Sequence, residues 1–195
     1  MKTQKERKTT MHQMRDDIKY ILADEAKIAE TCDRLAAQIN ADYTDHDREL
    51  IFVIVLKGSV LFATDLIRRI NRPCTLDFMK VSSYQSGTST TGKINIILDL
   101  HRSDLSMLDI VVVEDIIDSG KTLSYLIDYL KLNGARSVKT CTLLDKPSRR
   151  QVEFTPDYCG TQIEDYFVVG YGLDYAELYR TLPFIGILKP EVYEK

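Results

Sequence analysis

An α/β fold built on a largely parallel sheet is predicted by three features of the sequence. IFVIVL (51–56) and DIVVVE (109–114) are short, apolar, β-branched runs of the kind that fill strands covered on both faces. Each run leads through a Gly- and Ser-bearing turn into a stretch with helical spacing. Strand-like and helix-like segments then alternate along most of the chain, the pattern of a parallel sheet flanked by helices.

Residues 15–39 come first and read as helix, with Ile18, Ile21, Leu22, Ile28, Leu35 and Ile39 at helical spacings among charged neighbours. Asp24 is placed to cap a second helical segment there. IFVIVL is the first strand. It ends at Lys57-Gly58-Ser59, and an apolar helix runs to Ile70, before Pro73. TLDFMKVSS (75–83) is the next strand. Residues 83–93, SYQSGTSTTGK, lack an apolar anchor after Tyr84 and read as a loop. INIILDL (94–100) returns to strand. In 109–134, DIVVVE is a buried strand, DIIDSG a turn, and TLSYLIDYLKL a helix closed by Asn133-Gly134. SVKTCTLLD (137–145), YFVVGYG (166–172) and PFIGILK (183–189) complete the strands.

The chain has 195 residues, which suits one domain with at most a small appendage. Residues 1–14 read as a disordered extension and 15–195 as a single domain. Hydrophobic residues are 44% and charged residues 28%, with a formal net charge of −3. That mildly acidic balance argues against nucleic acid or an anionic membrane as partner. No apolar run reaches the roughly 20 residues of a membrane span, so a cytoplasmic location is expected. Cys32, Cys74, Cys141 and Cys159 have irregular spacings without a C-x-x-C pair, and His12, His46 and His101 are scattered, so neither a zinc site nor a disulfide is expected.

The chemistry concentrates at Val111–Thr122. A strand hands over directly to a helix, whose first turn offers free backbone N–H groups and a positive dipole end to a phosphate. Gly120 allows close approach, and Ser119 and Thr122 add hydroxyls. A triphosphate P-loop, G-x-x-x-x-G-K-[ST], matches only in its second half, because Asp115 stands where its first glycine belongs and would repel phosphate. A merely solvated acidic turn is disfavoured, because Glu114-Asp115 follow a buried strand at its carboxyl end, where open parallel sheets bind ligands. Adjacent carboxylates accept hydrogen bonds from a vicinal diol or share a cation. Diol acceptors followed by phosphate donors describe a ribose 5-phosphate site.

VVVEDIIDSGKTL (111–123) resembles the phosphoribosyl pyrophosphate signature of type I phosphoribosyltransferases, and EDIIDSGKT is similar to its hypoxanthine-guanine branch. The likeness extends over about residues 17–190. It implies the type I phosphoribosyltransferase fold, with a small hood from the N- and C-terminal segments over the strand ends. It implies transfer of 5-phosphoribosyl from phosphoribosyl pyrophosphate to hypoxanthine or guanine, giving the nucleoside monophosphate and pyrophosphate. A xanthine-preferring enzyme, and a non-catalytic regulator that binds nucleic acid, are the alternatives.

The resemblance also implies roles. Leu56, Lys57 and Gly58, in LKGS, match the pyrophosphate loop, whose first peptide can be cis, and Arg180 matches an arginine that reaches pyrophosphate. Glu114 and Asp115 match the residues that hold the ribose hydroxyls and, with Asp174, Mg2+. Asp118, Ser119, Gly120, Lys121 and Thr122 match the 5′-phosphate loop. Asp118 also matches the acid–base residue near purine N7, where a buried, anionic pocket would strengthen it as a base. Lys146 matches the donor to O6, Phe167 the ring that stacks on the purine, and Val168 a backbone partner for the base edge. Ser83 and Tyr84 match the start of a lid. A homodimer or homotetramer is implied.

Overall fold

The computed structural model describes residues 11–83 and 94–194. A six-stranded sheet forms the centre, in the order β4 (Ile94–Leu98), β3 (Thr75–Ser83), β2 (Glu49–Val55), β5 (Leu108–Ile117), β6 (Ser137–Asp145), β7 (Tyr158–Gln162). Every neighbouring pair is parallel except β3–β4. The apolar runs explain this sheet. On β2, Leu50, Phe52 and Ile54 face one core, shared with the buried stripe of α2 (Glu25–Asp42) and with Phe62, Ala63 and Leu66 of α3 (Val60–Ile67). Ile51, Val53 and Val55 face a second core, shared with Leu123, Leu126 and Leu130 of α4 (Lys121–Leu132). Alternate residues of one strand therefore fill two cores, so the strand contains almost no polar position.

A second sheet of three short antiparallel strands is built from both ends of the chain: β1 (Ile18–Ala23), β9 (Ile185–Leu188) and β8 (Val168–Val169), in that order. Its core is Met14, Val169, Tyr179, Leu182, Phe184 and Leu188. This is the expected hood. It delivers the 167–174 segment to the carboxyl ends of β2 and β5.

Several elements differ from the sequence reading. The single helix over 15–39 is two structures. Ile18, Ile21 and Leu22 belong to β1, which pairs with β9 through Ile18↔Leu188 and Ile21↔Gly186. The helix starts only at Glu25, where Asp24 caps it by accepting from the Lys27 N–H at 2.8 Å. A short helix α1 (Met11–Asp16) begins inside the segment expected to be a disordered extension, with Met14 buried; residues 1–10 lie outside the described residues. The helix expected to reach Ile70 ends at Ile67 and continues as a turn. DII of DIIDSG extends β5 as far as Ile117, which pairs with Asp145. YFVVGYG contributes only Val168–Val169, because Gly170, Tyr171 and Gly172 have φ of 97°, 50° and 98° and turn the chain out of the strand. β7 was not foreseen. Tyr84 and the rest of the expected loop to Lys93 lie outside the described residues, and Ser83 ends β3.

Candidate active site

The turn after β2 forms one wall. The Leu56–Lys57 peptide is cis, as the family resemblance implied. Ser59 is buried and donates its hydroxyl to the Val55 carbonyl, which fixes the turn into α3. Gly58 has no room for a side chain: a Cβ there would lie 1.5 Å from Asp115 Oδ2. On the other side, a Cβ on Gly172 would lie 2.0 Å from the Gly58 carbonyl oxygen. The Asp115 side chain therefore packs directly on the 56–59 turn, and the 170s loop meets that turn backbone to backbone.

β5 carries Glu114 and Asp115 to that point. Asp115 Oδ1 accepts from the Ile116 N–H at 2.8 Å. Glu114 Oε2 is buried without a hydrogen-bond partner. Burial pushes the Glu114 carboxyl well above the usual carboxylate range, and the neighbouring Asp115 charge pushes it further. Burial raises Asp115 as well, against the hydrogen bond it shares with Glu114. A sequestered, orphaned oxygen beside a second carboxylate is a site that gains from a cation or from sugar hydroxyls. Magnesium fits this donor set, because it is held by one or two carboxylates together with water and substrate oxygens. Asp174 does not complete a cage with the pair. Its Oδ1 is 2.7 Å from Arg180 NH2, and its Oδ2 accepts from the Glu177 N–H at 2.9 Å. Among the described residues no group of three or more His, Cys, Asp or Glu is arranged to hold a metal.

The loop from Asp118 to Thr122 opens α4. Gly120 takes φ 79° at the N-cap, and no side chain caps the helix. A cavity of about 140 Å³ lies here, lined by Glu114, Asp118, Ser119, Gly120 and Thr122. Lys121 is exposed at the first helical position and does not line it. Arg150 fastens the loop from beneath. Its NH1 donates to the Asp118 carbonyl at 2.6 Å and to that of Ile117 at 3.3 Å, its Nε donates to Phe154 O at 3.1 Å, and its NH2 pairs with buried Asp145.

A neighbouring cavity of about 230 Å³ brings together Asp115, Asp118, Lys146, Phe167, Val168 and Asp174, with Ile116 and Leu173. The two cavities share Ile116 and Asp118. Lys146 is no surface lysine: its side chain is 9% exposed, with Nζ 3.5 Å from Asp118 Oδ1 and 3.7 Å from Asp165 Oδ1. The surroundings of Asp118 correct an expectation. The side chain is 48% exposed and faces the Lys146 ammonium, so it is not buried, although Glu114, Asp115 and Asp174 line the same two cavities. Phe167 makes an edge contact with Tyr175, at 5.5 Å between ring centroids.

The cations assigned to pyrophosphate are also located. Lys57 Nζ lies 3.0 Å from Glu177 Oε2, and Arg180 NH2 lies 3.5 Å from the same oxygen. Arg180 NH1 donates to Gly172 O at 2.6 Å, and its Nε is buried without a partner. Sequence reasoning missed Ile116, Arg150, Asp165, Leu173 and Glu177. Only Glu177 left a trace in the sequence, as an acid three residues before Arg180. A larger cavity, about 670 Å³, adjoins α2 and α3, but none of the residues marked from sequence lines it. Several of its polar groups pair with one another, as in Arg69–Asp33 at 2.5 Å and Tyr171 OH–Asp65 at 2.6 Å.

Residues 21–176 match the family model of the phosphoribosyl transferase domain. A hypoxanthine-guanine phosphoribosyltransferase of Staphylococcus aureus is 47% identical over 180 residues, covering 92% of this chain and 99% of that protein. The bifunctional protein TilS/HprT of Listeria monocytogenes is 49% identical over 182 residues; the chain spans 28% of its length. A crystal structure of a hypoxanthine phosphoribosyltransferase from Staphylococcus aureus superposes with a TM-score of 0.87 at 46% identity, covering 93% of this chain and 97% of that one.

Proposed function

The chain belongs to the phosphoribosyl transferase family, in its hypoxanthine-guanine branch, and on that premise we propose that it transfers the 5-phosphoribosyl group of phosphoribosyl pyrophosphate to hypoxanthine or guanine in purine salvage. One observation carries this reading. An anion cradle at a helix N-terminus and a cavity holding Lys146, Phe167 and Asp174 meet at Ile116 and Asp118, with the acid pair of β5 between them. A nucleoside monophosphate has the same order of parts: phosphate, diol-bearing sugar, base.

In the reaction the bond between ribose C1′ and pyrophosphate breaks as purine N9 attacks from the opposite face. Glu114 and Asp115 accept from the ribose hydroxyls and hold the ring. Ser119, Gly120, Lys121 and Thr122 bind the 5′-phosphate through backbone N–H groups and hydroxyls. Leu56, Lys57, Gly58 and Arg180 receive the leaving pyrophosphate. Phe167 stacks on the base, Val168 meets its edge through the backbone, and Lys146 donates to O6. Adenine presents an amino donor at that position and would leave the ammonium unpaired. Asp118 handles the N7 proton. Magnesium, when bound, would neutralise pyrophosphate charge, with Glu114 and Asp115 as the residues that would hold it.

Further aspects rest on single observations. Exposed Leu76 and Phe78 on β3, beside exposed Ile97 and Leu98 on β4, support a homodimer or homotetramer. Four free cysteines, and the absence among the described residues of a helix able to cross a membrane, support a cytoplasmic location. The net charge of −3 disfavours a nucleic-acid-binding regulator. The test is a set of initial rates with hypoxanthine, guanine, xanthine and adenine, each with magnesium and phosphoribosyl pyrophosphate. Turnover of the first two is expected. Preference for xanthine, or nucleic-acid binding without turnover, would refute it.

A further inference from the structure

We infer that Tyr193 is a positioning residue for the purine: it braces the Phe167 ring from the side away from the base cavity, so that the ring is already oriented when the base arrives. The inference rests on the reading of Phe167 as the stacking residue.

The two rings lie nearly parallel, with centroids 4.6 Å apart and planes inclined by 20°. Phe167 lines the base cavity and Tyr193 does not, so Tyr193 stacks on the ring from outside the space the base would fill. Tyr175 lies perpendicular to Phe167, with ring centroids 5.5 Å apart and planes at 90°. The ring is thus contacted by one nearly parallel and one perpendicular aromatic, the two arrangements aromatic pairs prefer. Its backbone is fixed by the same segment that carries Tyr193: the Leu188 N–H donates to the Phe167 carbonyl at 2.8 Å.

Tyr193 is itself well anchored. It ends the short helix α5 (Pro190–Tyr193). The residue before that helix, Lys189, donates its N–H to Asp17 O at 3.0 Å and its ammonium to Asp16 O at 2.5 Å. Val192 and Tyr193 pack against the hood core around Met14 and Leu188. The chain after β9 therefore returns an aromatic ring to a residue on the neighbouring strand segment, tied at both ends to the hood. A phenyl ring without that support is free to turn about χ2, and a base would have to order it on binding.

Steady-state kinetics of Tyr193→Ala test this. The expected result is a KM for hypoxanthine raised about 2- to 10-fold, with KM for phosphoribosyl pyrophosphate unchanged. Tyr193→Phe should restore the wild-type value, because the contact is ring on ring. Tyr193→Leu, which fills space without a flat face, should not. In a Phe167→Ala background, Tyr193→Ala should add nothing further to the hypoxanthine KM, since its effect passes through that ring. Equal rises in both KM values, or full rescue by Leu, would reduce Tyr193 to packing and overturn the inference. A fall in hypoxanthine KM in Tyr193→Ala would mean the tyrosine competes with the base, which also overturns it. Phe167→Ala with unaltered hypoxanthine KM would instead overturn the reading of Phe167, a separate failure.

Discussion

Gly58→Ala should disable the enzyme through a single methyl group. A Cβ at residue 58 would stand 1.5 Å from Asp115 Oδ2 and 2.6 Å from Asp115 Cγ, whereas ordinary contact begins near 3.4 Å. One of the two must move by about 2 Å, as a van der Waals separation requires. Asp115 is not free to swing away, since its other oxygen accepts from the Ile116 N–H at 2.8 Å. The 56–59 turn is confined as well, because the Gly58 carbonyl abuts Gly172 so closely that a Cβ there would sit 2.0 Å away. Overpacking of this kind costs about 1–3 kcal/mol in stability. Displacement of a substrate-holding group by an ångström or more costs about 100-fold in rate. Urea unfolding should therefore show a modest loss, and kcat/KM for phosphoribosyl pyrophosphate should fall by about 100-fold or more. Gly134→Ala is the control. It has φ 88° but nothing within 4 Å of its Cβ position, so it should lose about 1–2 kcal/mol of stability and no activity. Wild-type kcat/KM in Gly58→Ala would show that the close approach of turn and acid pair has no part in catalysis.

Lys146→Met should lower kcat/KM for hypoxanthine by roughly 10- to 150-fold, the worth of a hydrogen bond to a charged donor, in steady-state assays that leave phosphoribosyl pyrophosphate binding intact. Asp118→Ala should depress kcat about 100-fold or more with phosphoribosyl pyrophosphate affinity little changed, as measured by single-turnover rates and titration calorimetry. Arg150→Met leaves Asp145 buried and unpaired, so a loss of about 3–5 kcal/mol is expected in urea unfolding. Glu114 is raised above its ordinary 4.5 on folding, so the folded chain holds a proton that the unfolded chain releases. Stability contributed by that proton is present below about pH 4.5 and declines as pH rises towards the folded value. Glu114→Gln should remove this slope, so thermal melts of the ligand-free proteins should diverge in favour of the variant between pH 5 and pH 8. Parallel melting curves would mean Glu114 titrates normally.

The elements legible in the sequence are those whose physics is local. β2, β5 and β6 are covered on both faces, so their composition alone identifies them. Asp24 marked the start of α2 correctly. β1 was misread because Ile18, Ile21 and Leu22 satisfy helical spacing, and only the distant β9 decides that they form a strand. β7 was missed because YCGTQ has no apolar run; it is an edge strand placed by β6. The same division holds in the site. Glu114 to Thr122 sit on one strand–turn–helix unit and were readable from type and order. Lys146, Phe167, Asp174 and Arg180 came from family resemblance, and the structure gathers the first three in one cavity. Ile116, Arg150 and Asp165 carry no local mark, since only tertiary placement gives an isoleucine or an arginine a site to line or support.

β5 is laddered to β2 on one side and to β6 on the other, and both of those strands have further neighbours outside them. Amide hydrogens at Val111, Val112 and Val113 consequently have no route to solvent short of undoing the whole sheet, and their deuterium uptake should report global unfolding. β8, with two residues, belongs to the three-stranded sheet, and Val168, Ile185 and Ile187 of that sheet lie in the same core as Leu50, Phe52 and Val113. The segment proposed to hold the base is thus tied by shared apolar packing to the strands that carry the acid pair, and loosening one removes contacts from the other.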